Sequence, residues 1–526
     1  MKEEKKDFWK LPSVIEFTKK SKTSLWVTGI FLLAVYGIKV FNVSISHDTE
    51  AIMAVADNLY NSWYMMGRFG LIFLKKLLGT YLFNPFIASF FMFVTMIANS
   101  FLWSYLFYWL GAKQEKGIRN NWIFPVVFFT SMIMAEQSGF LLQAYEVNIA
   151  LLLVALALIV IYEVILEKRR WYMYFPAVIC CVLAFSTYQS LVPLFMTGAA
   201  VCFLLVYDKC VEQDEAGAGM KFYWGIIGKL IAVFVFSFGV YQVVNKIVLS
   251  VLGIETTPYI TEQVMWGNAS VAECVSDIIE HIKEVLLGDG LFFTEAMGII
   301  YVIVLIYSIA RIREKKKCYF MYLLALAFCM ISPFLMTLLL GTAPMIRVEI
   351  MIPFVTGFFI QYMVNTLSPD SGKIMKGAYA AAVTVVFFFS MYQSLLSARL
   401  YYTQYVQYEE DVRLAVKITD RIDQLDCGEE PEEPVVFVGS RMPQRNEVCI
   451  ADEELELIGK SFFEMSFSTN HGTWVMNHFL DTLGYSYEMP EAEDIAVAEE
   501  EARNMPSWPD SGSVAMKNGV IIVKLG

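Results

Sequence analysis

The chain has 526 residues, 57% of them hydrophobic and only 17% charged, with a formal net charge of −12. A soluble protein of this size carries about 25% charged residues, so the composition argues against a water-soluble globule and for lipid as solvent. The acidic excess gathers after residue 408, in stretches such as EEPEEP and EAEDIAVAEEEA, and no basic stripe exists to meet the phosphates of a nucleic acid.

In chain order, the basic residues 1–23 precede an apolar run, Leu25 to Phe41, that lacks a small-residue cleavage site and reads as a retained membrane helix. Apolar runs then predict helices near 24–43, 81–111, 121–137, 141–166, 171–187, 190–207, 222–252, 291–311, 318–340, 346–366 and 376–396. A bilayer core of about 30 Å requires helices of about 20 residues, and unpaired backbone groups are too costly in hydrocarbon for other forms. The expected fold is therefore mainly α, polytopic, with about eleven spans. Charge parity orients it: with the N-terminus in the cytoplasm, AKQEKGIRN, EKRRW, DKCVEQDEAGAGMK, RIREKKK and SPDSGKIMK all fall on that side. The opposite side receives residues 44–80, the turns near 138 and 188, residues 253–290, GTAPMIR and the tail from 397 to 526.

The tail has a different texture. QYEEDVRLAVKITDRIDQL spaces Leu414, Ile418, Ile422 and Leu425 as a helix, PVVFVGS reads as a buried strand, and TWVMNHFLDTLG reads as a short helix ended by Gly484. SVAMKNGVIIVKLG is two strands joined at Asn518-Gly519, a strong hairpin signal. Three parts result: a cytoplasmic segment 1–23, a membrane domain 24–396 with interfacial helices in 44–80, and a small extracytoplasmic α/β domain 397–526. Cys180, Cys181, Cys202 and Cys329 read as packed or lipid-facing thiols, and a disulfide between Cys427 and Cys449 stays open. No CxxC pair or Cys/His cluster points to zinc.

The first external loop, NVSISHDTEAIMAVADNLYNSWYMMGRFG, is dense in ionisable groups. Ile52, Val55, Ala56 and Leu59 would form the apolar face of an interfacial helix, with Glu50, Asp57 and Asn61 on another. Asp48 has two readings: an N-cap for that helix, or, if the helix begins between it and Glu50, a carboxylate facing a cavity together with Glu50. His47 reads as a local hydrogen-bonding group. Arg68, and Arg347 in GTAPMIRVEIMIPF, are candidates for meeting anionic oxygens, since guanidinium matches phosphate geometry; for Arg347 the rival reading is snorkelling or a pair with Glu349. Lys75 and Lys76 are candidates for lipid phosphate or plain interfacial anchors. Glu136, Gln137, Gln143, Tyr145, Glu146 and Asn148 surround one external turn, and Tyr188 and Gln189 the next; they would face a cavity or bond helix to helix. Trp266 would stack on a sugar ring or anchor at the interface.

SHDTEAI in the first external loop, GRFG after it, the many membrane helices, and PVVFVGS, FLDTLGYSYEMP and MPSWPDSGSVAMKNGVIIVKLG in the tail together resemble the bacterial membrane glucosyltransferase-II (serotype-converting) family, of the GT-C superfamily. The likeness spans most of the chain through short motifs. The family pattern has two adjacent acids, whereas here Thr49 separates Asp48 and Glu50. The resemblance implies a GT-C-like membrane domain that transfers a hexose, glucose by analogy, from a polyprenyl-phosphate donor to a cell-surface glycan, lipid-linked glycan or wall polymer. It implies Asp48 as base, with Glu50 as its partner, an acceptor ligand or a ligand for a divalent cation such as Mg or Mn. Arg68, Arg347 and Lys75 would bind donor phosphate, and Tyr188, Gln189, Glu136 and Trp266 the substrate. A lipid-linked oligosaccharide flippase or transporter, and a polysaccharide polymerase or ligase, are the rival classes; two related halves would favour a transporter, and none is visible.

A cysteine-labelling scan through the tail, to residue 520, should react with a membrane-impermeant reagent added outside. Labelling only after the cytoplasmic face is opened would reverse this topology.

Overall fold

The computed structural model describes residues 9–111, 118–213, 218–257, 262–312, 316–367, 372–425, 431–442, 444–464 and 468–526. The expected pairing of Cys427 lies outside the described residues. The first apolar run forms α1 (Val14–Phe41), which starts well before the bilayer-length stretch. Three short helices follow, α2 (Thr49–Ala54), α3 (Ala56–Met65) and α4 (Phe69–Leu77). Next come α5 (Pro85–Leu110), α6 (Ile123–Phe129), α7 (Met132–Gly139), α8 (Ala144–Leu166), α9 (Phe175–Thr187) and α10 (Leu191–Glu212). Then α11 (Met220–Leu252), α12 (Val271–Leu287), α13 (Ala296–Ile312), α14 (Tyr319–Ile331), α15 (Leu335–Leu340) and α16 (Met351–Thr366) complete the apolar part before α17 (Lys373–Asp423).

Seven helical stretches among the described residues are long and apolar enough to cross a membrane, and two shorter apolar ones join them. The chain is thus mainly helical, with the character of a membrane protein. Several expected runs differ in form. Residues 121–137 are broken at Thr130–Ser131, where the Ser131 hydroxyl accepts the Met134 N–H and starts α7 afresh. The 346–366 run begins as a 3-10 turn, Ile346–Val348, and only then becomes α16.

The expected helix in the tail is not separate from the last membrane helix. α17 runs 51 residues without a proline, crossing position 397 unbroken, and at 1.5 Å per residue it is roughly 75 Å long. Its far end joins β1 (Val435–Val438), α18 (Thr469–Thr482), α19 (Ala492–Ala502), β2 (Val514–Lys517) and β3 (Val520–Lys524). The sheet order is β1-β3-β2, with β1 parallel and β2 antiparallel to β3. Asn518 and Gly519, both at positive φ, make the expected hairpin turn. Strand alternation sorts the side chains: Val435, Phe437, Ile521 and Val523 pack with Ala415, Ile418 and Ile422 of α17 and with Phe479 of α18, while Val436, Val520 and Ile522 pack on Ala498 and Ala502 of α19.

Lys75, expected at donor phosphate, is instead buried inside the bundle. Its ammonium lies 2.5 Å from the Glu146 carboxylate, both side chains fully buried, with the rings of Trp63, Phe83 and Tyr145 around it. Charge attraction in the dry interior holds the pair against the cost of taking both groups out of water. Lys75→Met should therefore lower stability by about 3–5 kcal/mol, because it strands Glu146. In thermal unfolding in detergent, the double change Lys75→Met/Glu146→Leu should recover part of that loss.

Candidate functional site

A cavity of about 630 Å³ opens where α3, the start of α4, the α9–α10 turn and the 336–348 segment meet. Its lining includes Asp48, Trp63, Arg68, Phe140, Tyr188, Gln189, Met345 and Arg347. The fold thus brings together five of the residues singled out in the sequence, drawn from three distant stretches. Glu50, Lys75, Glu136 and Trp266 are not in the lining. A smaller polar cleft, about 90 Å³, lies at the opposite helix ends, where Arg311 pairs with Asp208 at 2.7 Å.

Asp48 sits at the start of α2 but does not cap it. Its backbone is left-handed, φ 66°, and no side-chain cap bond forms. Residues other than glycine adopt that region rarely, Asp and Asn more readily than most. The carboxylate is therefore left to the cavity, to which Asp48 is exposed. Enclosure by protein raises its pKa from the usual carboxylate range, and the Arg347 and His471 charges oppose that rise.

Glu50 faces the other way. The expected single amphipathic helix breaks at Val55, and both Glu50 and Ile52 are buried because α2 is covered by α18 and by neighbouring apolar side chains. Burial, then the Asp48 charge, pushes the Glu50 carboxyl well above its ordinary range, and its oxygens find no side-chain hydrogen-bond donor. Glu50 is thereby buried away from the cavity that Asp48 lines, and is not a second acid in that lining. Among the described residues no three His, Cys, Asp or Glu side chains converge as a metal-ligand set.

GRFG has a steric logic. Gly67 takes φ 77°, and a Cβ there would lie 2.9 Å from the Tyr241 hydroxyl; the hydroxyl donates to the Gly67 carbonyl at 3.3 Å. Gly70 lets α4 approach α9, since a Cβ would meet Ser186 Oγ at 2.3 Å and the Leu183 carbonyl at 2.9 Å. Between them Arg68 is aimed by two other turns: its Nε donates to Gln189 Oε1 at 3.0 Å, Nη1 to Gln143 Oε1 at 3.5 Å, and its guanidinium lies 5.2 Å from the Tyr188 ring centre. Gln189 in turn donates to the Met66 carbonyl at 2.7 Å, closing a clamp.

Arg347 lies in the 3-10 turn before α16, its guanidinium 4.9 Å from the Phe140 ring centre. It does not pair with Glu349. That carboxylate is taken by His281 of α12, at 2.6 Å and buried. The turn is braced from the tail: the Glu456 carboxylate accepts the Ile346 N–H at 3.0 Å. Glu136, expected at substrate, also serves the tail, accepting the Leu457 and Ile458 N–H groups at 3.0 and 3.1 Å. His47 makes a distant bond rather than a local one. It donates to the Ser461 carbonyl at 3.0 Å and packs on Phe462, and burial pushes its pKa down to about 4. Trp266 lies beside the lining residue Met265, with its indole N–H engaged by the Leu338 carbonyl at 2.9 Å. Glu456, Leu457, Ile458 and the Ser461 carbonyl carried no local signal in the sequence, because the groups they bond around the cavity lie more than 100 positions away.

A family model described as Glucosyl transferase GtrII matches residues 37–363. No curated protein and no solved structure matches the chain.

Gly70→Ala should cost about 1–3 kcal/mol through overpacking against α9. Gly225→Ala, at a helical site with nothing near its Cβ, should be neutral or slightly stabilising. Thermal unfolding of the two variants side by side checks this.

Proposed function

Because the chain belongs to the glucosyl transferase GtrII family and is a glycosyltransferase, we propose that it moves a hexose, glucose by family analogy, from a polyprenyl-phosphate donor to a glycan acceptor at the external membrane surface. The observation that carries this reading is the Asp48 carboxylate, uncommitted to helix capping and opening into a cavity that Arg68 and Arg347 also line.

The roles follow from charge. The acceptor hydroxyl attacks the anomeric carbon, and Asp48 takes its proton as the new C–O bond forms. The bond from that carbon to the phosphate oxygen breaks, and the electron pair leaves with the lipid phosphate. Arg68 and Arg347 meet the negative charge that builds there. A single displacement of this kind inverts the anomeric centre. Tyr188 and Gln189 hold Arg68 in place and border the space for the sugar. The acceptor is a cell-surface glycan, lipid-linked glycan or wall polymer. The first loop, residues 262–290, the Arg347 turn and the tail meet around one end of the helices, which fits the charge-parity topology with that end outside.

Asp48→Asn tests the base. Asn tolerates φ near 66°, so the backbone can stay as it is. With radiolabelled polyprenyl-phosphate glucose and an acceptor, transfer should fall by at least 10²-fold, in line with the usual weight of a general base, while thermal unfolding is unchanged. Full turnover in Asp48→Asn would remove this role.

The pH profile gives a second test. Arg347 lowers the Asp48 pKa, so removing it must raise that value. The acidic limb of kcat/KM should therefore move to higher pH in Arg347→Ala, with activity lost as pH falls through the raised value. An unmoved limb would separate Asp48 from the base.

A further inference from the structure

The family match ends at residue 363, yet the cavity walls are fastened by residues far beyond it. Resting on the catalytic reading above, we infer that the tail segment 455–462 is a built part of the catalytic site, with Glu456 as a positioning residue for Arg347. The tail is thus not an accessory domain joined by a helix.

The segment bonds to three separate elements around the cavity. Glu456 accepts the Ile346 N–H, which fixes the turn one residue before Arg347. Leu457 and Ile458 donate to Glu136 near the end of α7, and Ile458 packs so closely on Gly139 that a Cβ there would lie 2.7 Å away. The Ser461 carbonyl takes the His47 ring N–H, next to Asp48. The segment is itself held rigid from behind. The Asp411 carboxylate of α17 accepts the Ser461 hydroxyl at 2.6 Å and the Phe462 N–H at 3.0 Å, and Arg445 donates to the Gly459 carbonyl at 3.0 Å. One short stretch therefore sets the spacing between the phosphate-facing Arg347 turn and the Asp48 loop. The donor phosphate is already anionic before the bond breaks, so a residue that orients Arg347 on it shows itself in donor binding more than in the chemical step.

The test uses the full chain in detergent or nanodiscs. Glu456→Ala removes the acceptor for Ile346, whereas Glu456→Gln keeps an oxygen there and drops the charge. Lys517→Ala, which breaks a pair with Glu501 on the outer hairpin, is the control within the same tail. In Glu456→Ala, KM for a polyprenyl-phosphate glucose donor should rise about tenfold with kcat changed much less. Glu456→Gln should restore most of it, and Lys517→Ala should match wild type. In an Arg347→Ala background, Glu456→Ala should add nothing, since both act through one guanidinium. Amide exchange of the 345–349 turn, followed by mass spectrometry, should speed up in Glu456→Ala and not in Glu456→Gln. Unchanged exchange, additive effects of the two substitutions, or equal losses in Glu456→Ala and Lys517→Ala would overturn the inference. If wild type transfers no sugar from that donor, the functional reading fails, and the exchange experiment still decides whether Glu456 positions the turn.

Discussion

Ile45 of the first loop lies in the apolar core of the tail, among Ile418, Phe462 and Phe479, while Ile458 of the tail lies in the core of the helical bundle. This exchange of apolar side chains is what the cavity depends on. Each side chain buries surface that its own domain cannot cover, at about 25 cal/mol per Å². Burial alone has no direction, so the register comes from polar bonds beside it: His47 to Ser461, and Leu457 and Ile458 to Glu136. Asp48 follows Ile45 by three residues. Its left-handed backbone, which a free chain would avoid, is tolerated because packing on both sides over-determines it.

The same arrangement sets which charges surround the cavity. An arginine beside a carboxylate normally forms a closed pair, and such a pair has little left for a ligand. Here Glu349, the near neighbour of Arg347 in sequence, is drawn off by His281. Gln189, Gln143 and Tyr188 orient Arg68 without adding charge. Glu50 is buried outside the cavity lining, and burial pushes its carboxyl well above its ordinary range. Lys75, a plausible phosphate ligand by position, is cancelled by Glu146 inside the bundle. Asp48, Arg68 and Arg347 line the opening.

Much of this fold was legible in the sequence because its causes are local. Apolar runs became helices, Asn518-Gly519 became a hairpin, and the strand PVVFVGS was buried as its composition demanded. GRFG marked a constrained turn, and Asp48, Arg68, Tyr188, Gln189 and Arg347 do line one cavity. The illegible parts are those decided by distant partners. The break at Val55 splits a periodic apolar pattern because α2 is covered by α18, which removes the polar side that the pattern presumed. The unbroken α17 passes a change of composition at 397 that looked like a domain border, because helix geometry is indifferent to whether lipid or protein surrounds it. Glu136 turned out to bind backbone of the tail rather than to face the cavity, a choice that two N–H groups 321 and 322 residues away made for it.

By itself the sequence carried the membrane-like composition, the helical class, an expected sidedness from its basic loops, and the residue types able to handle a sugar phosphate, since hydropathy, charge and turn chemistry are properties of neighbours along the chain. Only the tertiary structure decided which of those residues share a cavity. It separated Asp48 from Glu50, because a positive φ at one and burial of the other send two acids, one residue apart, to different surroundings. It also drew the tail into the site, because an apolar loop and an apolar segment more than 400 residues apart each needed the other's core to leave water.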